Sequence, residues 1–190
     1  AYTMLVRRAK IEEGENVLIL GAGSGVGSAA VQIAKHFGCT VMATAGNEDK
    51  LQHARDFGAD LTIDHYNEKI HERVREFTEG WGADIVFEHV GEATWSSSMR
   101  SLAHGGRLVT CGATTGAKAG VEIRHLFHKQ QTVMGSTMGD ALAFTELLDL
   151  LEKGFLKPVL DRTFPMSEAA EAHRYIEEGK QFGKVVLLPD

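Results

Sequence analysis

The sequence predicts an α/β fold: a doubly wound, parallel, six-stranded sheet followed by a short C-terminal β-α-β tail. Three observations predict it. From residue 17 onward, short β-branched runs alternate with amphipathic stretches. The runs are continuously apolar rather than alternating, as strands covered on both faces are. Most of the amphipathic stretches end at a glycine, which readily takes the left-handed conformation that stops a helix. Right-handed crossovers then place a helix over each pair of strands.

The elements follow in order. Leu5, Val6 and Ala9 form an apolar helical face opposite Arg7, Arg8 and Lys10, so the chain begins inside a helix without an initiator Met and reads as a piece of a longer protein. Residues 17–20 form the first strand. Ala30, Ala34 and Phe37 mark the helix that Gly38 stops, and residues 40–45 form the second strand. Leu51, Ala54 and Phe57 recur at helical spacing up to Gly58, and residues 61–64 make the third strand. Ile70, Val74 and Phe77 mark a third helix, and residues 85–87 a buried fourth strand. Trp95, Met99 and Leu102 share the inner face of the next helix, which Gly105 and Gly106 end. Residues 107–111 form the fifth strand, 123–127 a short helix and 132–136 the sixth strand. Asp140 caps a helix lined by Phe144, Leu148 and Leu151 and stopped by Gly154. The division expected is 1–155 for the sheet domain and 156–190 for the tail.

Composition narrows the function. A chain of 190 residues, 43% hydrophobic and 24% charged, can bury one good core. Its net charge of -6 lacks the basic excess that neutralises a phosphate backbone, so nucleic acid is not an expected partner. Cys39 and Cys111 stand far apart without a CxxC pair, which fits a reducing compartment and a cytoplasmic location. No apolar run approaches the roughly 20 residues that span a bilayer, and no membrane partner is expected.

The chemistry starts at Gly21-Ala22-Gly23-Ser24-Gly25-Val26-Gly27. A strand precedes this loop and a helix follows it, the setting in which missing side chains permit a sharp turn and close approach of a diphosphate to the backbone. The N–H groups of Gly25, Val26 and Gly27 at the helix start then point at the anion, with Ser24 beside them, and the helix dipole adds attraction. This is the Rossmann arrangement for a dinucleotide. The loop departs from strict G-x-G-x-x-G, because aligning its last glycine to Gly27 puts Ala22 and Ser24 at the first two positions. A short-chain dehydrogenase would need a Tyr with a Lys four residues on, and none of Tyr2, Tyr66 and Tyr175 has one. A methyltransferase would want an acidic residue ending the second strand, which is absent.

GENVLILGAGSGVGSAAVQIAKHFG, DIVFEHVG, GGRLVTCG and MGST resemble the first βαβ unit and the fourth, fifth and sixth strands of the medium-chain dehydrogenase/reductase superfamily, the zinc-type alcohol dehydrogenase and quinone oxidoreductase-like group. LKPVLDRTFPMSEAAEAHRYIEEGKQFGKVVLLP resembles its C-terminal return segment, so the resemblance runs over nearly the whole chain. It implies hydride transfer between a nicotinamide cofactor and a small alcohol, carbonyl, quinone or enone. It also implies that the catalytic residues and any zinc ligands lie in a GroES-like N-terminal domain outside these residues, so that the chain alone binds cofactor without turnover and meets substrate only with that domain. No catalytic residue and no metal site is expected here. A non-catalytic nucleotide-sensing or scaffolding module is the alternative, since fold does not fix function.

For the cofactor, the second strand ends in Thr44-Ala45-Gly46-Asn47 rather than in the Asp or Glu that binds both ribose hydroxyls and repels a 2′-phosphate. Lys50 can supply a positive charge, and NADP(H) is favoured over NAD(H). The other reading lets Glu48 or Asp49 reach the ribose. Position and resemblance place Asp64 and His65 near the adenine and Val90 and Gly91 beside the adenosine ribose. Gly112, Ala113 and Thr114 fall beside the nicotinamide half, with Gly135 and Ser136 following. Lys184 either approaches the diphosphate or is a surface lysine at a strand end. His89 and Cys111 fall near ligand-facing positions but read as packing residues rather than chemical ones, for want of an acid–base or nucleophilic partner, and His125 and His128 read as polar positions on a surface helix. The sixth strand would be a sheet edge, suited to a homodimer.

Overall fold

The computed structural model describes all 190 residues. Strands β1 (Asn16–Ile19), β2 (Thr40–Ala45), β3 (Leu61–Asp64), β4 (Ala83–Glu88), β5 (Leu102–Thr110) and β6 (Thr132–Gly135) form one sheet in the order β3-β2-β1-β4-β5-β6. Every pairing in it is parallel. The order reverses between β1 and β4, which creates a crevice at the carboxyl ends of these strands.

Side chains alternate across each strand, so β1 feeds two cores. Val17 and Ile19 pack with Val31, Val41, Ile85 and Phe87 on one face of the sheet, while Leu18 joins Met42, Val74, Val86 and Leu108 on the other. This two-sided burial is why β1 and the centre of β4 read as unbroken apolar runs. The layers on the two faces come from helices α1 (Gly25–His36), α2 (Glu48–Asp56), α3 (Ile70–Phe77), α4 (Glu92–Ser101), α5 (Ile123–His128) and α6 (Ala141–Glu152). Ser24, Asn47 and Asp140 cap α1, α2 and α6 by accepting the N–H groups of Gly27, Lys50 and Ala143. Each such cap is worth about 1 kcal/mol.

Three expectations are corrected. Leu102 is not on the inner face of a helix; α4 stops at Ser101, and Leu102 begins β5, pairs with Ala83 and is fully buried. Gly105 and Gly106 lie inside that strand, where Gly105 takes φ +74 and donates its N–H to the Lys129 carbonyl. Glycine here permits an irregular strand rather than a helix stop, and the β4–β5 register shifts between Ala83 and Ile85. On α6, Phe144 and Leu148 are exposed, and Ala143, Leu147, Leu150 and Leu151 pack inward. Apolar residues on α6 offer two helical faces, and the face carrying the small Ala143 comes closest to the core. Phe77 of α3 is likewise exposed.

Residues Thr3–Arg8 wind as a wide helix closed by the Ala9 N–H donating to the Met4 carbonyl at 2.8 Å. Arg107 holds this segment down: its guanidinium meets both carboxylate oxygens of Glu15 at 2.8 and 2.9 Å and donates to the carbonyls of Ala9 and Lys10. In the tail, β7 (Leu160–Pro165) and β8 (Lys184–Leu188) pair in parallel around α7 (Ala169–Glu177). The residues before β8 lie on the glycine loop. Gly183 donates its N–H to the Gly23 carbonyl at 2.9 Å, and Phe182 stacks on His53 with ring centroids 4.3 Å apart.

Candidate dinucleotide site

A groove of about 360 Å³ opens at the carboxyl ends of the central strands. Gly21, Gly23 and Ser24 line it after β1, Gly46, Asn47 and Lys50 after β2, His65 and Tyr66 after β3, and His89 after β4. The tail closes it with Glu178, Gly179 and Gln181. This is the switch-point position at which open α/β sheets bind ligands.

The loop is built for backbone approach. A Cβ on Gly27 would overlap the Gly21 carbonyl oxygen, and one on Gly25 would overlap the stem of Lys184, which lies across the start of α1. On Gly23 it would lie 2.8 Å from Lys50 Cδ. Thr44 supports the loop from beneath: fully buried, it takes the Gly21 N–H on Oγ1 at 3.0 Å and the Ala22 N–H on its carbonyl at 2.8 Å.

Three bases face the groove. Burial pushes the pKa of Lys50, His65 and His89 down from their ordinary values, with Asp161 opposing for Lys50 and Asp64 for His65. Desolvated bases with few counter-charges favour an incoming anion, which would restore their charged forms. The one carboxylate lining the groove, Glu178, pairs with Lys180. Glu48 pairs with Arg55 rather than reaching back toward the end of β2. Lys50 Nζ donates to the Gly179 carbonyl at 2.6 Å.

Five of the residues expected at the site thus line this groove: Ser24, Gly46, Asn47, Lys50 and His65. Gly25, Val26 and Gly27 form the first turn of α1 directly behind it, but the Gly27 N–H is taken by the Ser24 cap at 2.9 Å and so is not free for an anion as expected. The others lie along the remaining strand ends. Gly91 is buried at φ +93, where it precedes α4 beside Val90. Gly112, Ala113 and Thr114 form an exposed loop, with the Thr114 hydroxyl donating to the His89 carbonyl at 3.1 Å. Gly135 accepts from Arg8 Nε at 2.9 Å, and the Ser136 N–H donates to the Thr110 carbonyl at 2.8 Å.

His89 both packs and faces the groove, while Cys111 is exposed rather than packed. The His89 ring lines the groove with Nε2 3.3 Å from Ser24 Oγ. Tyr66 was legible as the neighbour of His65 but not singled out. Gln181 was not legible at all, because the tail reaches the loop only through tertiary folding. Its Oε1 is buried without a donor, an acceptor that a ligand hydroxyl or amine would satisfy. Glu88 sits behind the site, fully buried: Oε1 accepts the N–H groups of His89, Val90 and Gly91, and Oε2 the hydroxyls of Thr94 and Ser98.

The glycine cradle, the desolvated bases and the unsatisfied Gln181 oxygen fit a phosphorylated dinucleotide. A second hollow of about 460 Å³, between Ala1–Thr3 and Met138–Leu147, is mostly apolar, and its one carboxylate, Asp140, already caps α6. No three His, Cys, Asp or Glu side chains come together as a metal-ligand cluster.

Comparison with known proteins agrees with this geometry. The zinc-binding dehydrogenase family profile matches residues 25–153. The human quinone oxidoreductase is 32% identical over 197 residues, covering 99% of this chain and 59% of that protein. A solved NAD-dependent alcohol dehydrogenase superposes with a TM-score of 0.93 at 41% identity over 98% of this chain and 54% of its own. The 2-octenoyl-CoA carboxylase reductase CinF, solved with NADP and 2-octenoyl-CoA, gives 0.90 at 31% identity over 99% and 46%. The chain therefore spans about half the length of the proteins it matches. With its sheet order, its glycine loop and these matches, the chain belongs to the zinc-binding dehydrogenase family of the medium-chain dehydrogenase/reductase superfamily.

Proposed function

We propose that this chain is the cofactor-binding part of an NADP(H)-dependent oxidoreductase that transfers hydride to or from a small alcohol, carbonyl, quinone or enone. The observation that carries the reading is the groove itself: a glycine cradle at the start of α1, with Lys50 rather than a carboxylate beside the end of β2. The bound nicotinamide would supply the hydride. The chain's own residues bind and orient. Gly25 and Val26 present N–H groups to the diphosphate, Gly27, whose own N–H is held by Ser24 Oγ, leaves room for its approach, and Lys184 adds a charge, while Gly46, Asn47 and Lys50 receive the 2′-phosphate. Val90, Gly91, Gly112, Ala113, Thr114, Gly135 and Ser136 track the rest of the cofactor along the ends of β4, β5 and β6.

Relatives pull both ways on the cofactor: CinF was solved with NADP, whereas the alcohol dehydrogenase is named as NAD-dependent. The end of β2 favours NADP(H). Titration calorimetry with the purified chain will give a lower Kd for NADPH than for NADH, and Lys50→Met will weaken NADPH about tenfold while leaving NADH within twofold. NADH binding at least as tight as NADPH would overturn the cofactor choice. Proton donors and substrate walls belong to residues outside this chain, so it will bind cofactor without oxidising NADPH in the presence of simple quinones or aldehydes. Rapid turnover would overturn that division of labour.

A cytoplasmic homodimer completes the proposal. No helix is long and apolar enough to cross a membrane. β6 is an edge strand with Val133 exposed, and such an edge pairs readily with a two-fold mate. Light scattering at micromolar concentration will give twice the chain mass; a monomer would exclude the edge pairing.

A further inference from the structure

Among the bases of the groove, His65 has the arrangement least explained by packing. Its Nδ1 lies 3.4 Å from Thr44 Oγ1, and that oxygen already accepts the Gly21 N–H, so the threonine proton is free to go to Nδ1. A neutral ring then carries its own proton on Nε2. That nitrogen has no partner within the chain, lines the groove, and stands 3.0 Å from where a Cβ on Gly46 would be. Gly46 follows β2, where the adenosine ribose of a dinucleotide is held in this fold. The Tyr66 ring sits edge-on to the imidazole with centroids 4.5 Å apart.

We propose that His65 is a specificity-determining residue: Nε2–H meets the 2′-phosphate of the dinucleotide beside Lys50, and when that phosphate, rather than a hydroxyl, is present the ring takes up a proton from solvent at Nδ1, the Thr44 hydroxyl turning to accept it. The inference rests on the dinucleotide reading given above. It goes beyond placing His65 near the adenine, because it assigns the residue a charge that depends on the ligand.

The charged and titratable groups facing His65 permit this. From its own loop come Asp64 and Tyr66; the Asp64 carboxylate is occupied by the Tyr66 N–H at 2.9 Å and by Asn67 Nδ2 at 2.8 Å. Lys50 faces it from α2 and disfavours its charge, as burial does. Across the groove stand His89 and Glu178, the latter paired with Lys180. Without ligand the ring is therefore biased toward neutrality. A phosphate dianion outweighs the lysine, raises the imidazole pKa, and couples binding to the uptake of one proton. A 2′-hydroxyl supplies no such charge.

The sign follows. A phosphate monoester completes its second ionisation near about pH 6, so above neutrality the ligand's own charge is constant. His65 must still gain a proton, and the affinity for NADPH falls as pH rises.

The test compares the chain with His65→Asn, which keeps a donor at similar reach but cannot become charged. From about pH 7 to about pH 8.5, the Kd of NADPH and of 2′,5′-ADP for the unaltered chain will rise several-fold, and that of NADH and 5′-AMP will stay flat. H65N will bind 2′,5′-ADP about tenfold more weakly at neutral pH and lose the slope. In ¹⁵N NMR of the imidazole, saturation with 2′,5′-ADP will raise the His65 pKa and 5′-AMP will leave it in place. An unchanged slope in H65N, or an unmoved imidazole resonance under saturating 2′,5′-ADP, would overturn the inference while leaving the dinucleotide reading intact. Failure of every nucleotide to bind the folded chain would overturn that reading itself.

Discussion

Replacing Gly27 with alanine will remove dinucleotide binding, whereas the same change at Gly25, two residues earlier, will only weaken it. The contrast comes from what each new methyl group meets. At Gly27 it overlaps the Gly21 carbonyl oxygen and lies 2.9 Å from the Ala22 Cα, so backbone must move. The Gly21 N–H is fixed by Thr44, and the Gly27 N–H by Ser24 Oγ at 2.9 Å, so the strain cannot relax without breaking a cap or a strand-end contact. Overpacking of this kind costs about 1–3 kcal/mol of stability. Losing two charge-assisted N–H contacts to the diphosphate costs about 3 kcal/mol of binding, a factor of about a hundred or more. At Gly25 the methyl meets only the far end of the Lys184 side chain, which can swing away. Thermal melting will place Gly25→Ala near the unaltered chain and Gly27→Ala below it, and calorimetry will show tenfold or smaller weakening for G25A. Equal NADPH affinity in G27A would mean that the loop does not hold the diphosphate.

Much of this geometry was legible in the sequence. The second strand was bounded correctly because it is buried along nearly its whole length between Gly38 and Gly46, and the third because Gly58 stops the helix before it. Ser24, Gly46, Asn47, Lys50 and His65 fell into one groove because a parallel sheet brings the residues after each strand to the same end. The failures have a different origin. Leu102 and the glycines after it fit a helix end and an irregular strand equally well in local pattern, and the pairing with Ala83 decides between them. Phe144 and Leu148 are as apolar as Leu147 and Leu151, and the core selects one of two adjacent helical faces. Gln181 and the carbonyl of Gly179 reach the loop only because the tail folds back across it. Glu88 had a readable signal that was passed over: a lone charge ending an apolar strand, followed by Thr94 and Ser98 four residues apart on one face of the next helix.

Glu88→Ala will be the most destabilising single substitution behind the site, by roughly 3–5 kcal/mol. Its carboxylate is fully buried and accepts five hydrogen bonds, three from consecutive backbone N–H groups at 2.9, 2.6 and 3.2 Å and two from the hydroxyls of Thr94 and Ser98 at 2.8 and 2.9 Å. Alanine leaves those N–H groups buried without an acceptor, each at a cost of about 1–3 kcal/mol. It also frees the turn that holds Gly91 at φ +93. Glu88→Gln separates the electrostatic part from the geometric part. The amide keeps one oxygen for the backbone N–H groups, and the two hydroxyls can rotate to accept from its nitrogen. What it loses is the charge assistance, about 1–2 kcal/mol. Urea denaturation of both variants will therefore rank E88A well below E88Q, with E88Q still binding NADPH within a few-fold of the unaltered chain. Equal destabilisation in the two variants would show that the charge, rather than the set of acceptor contacts, holds this turn in place.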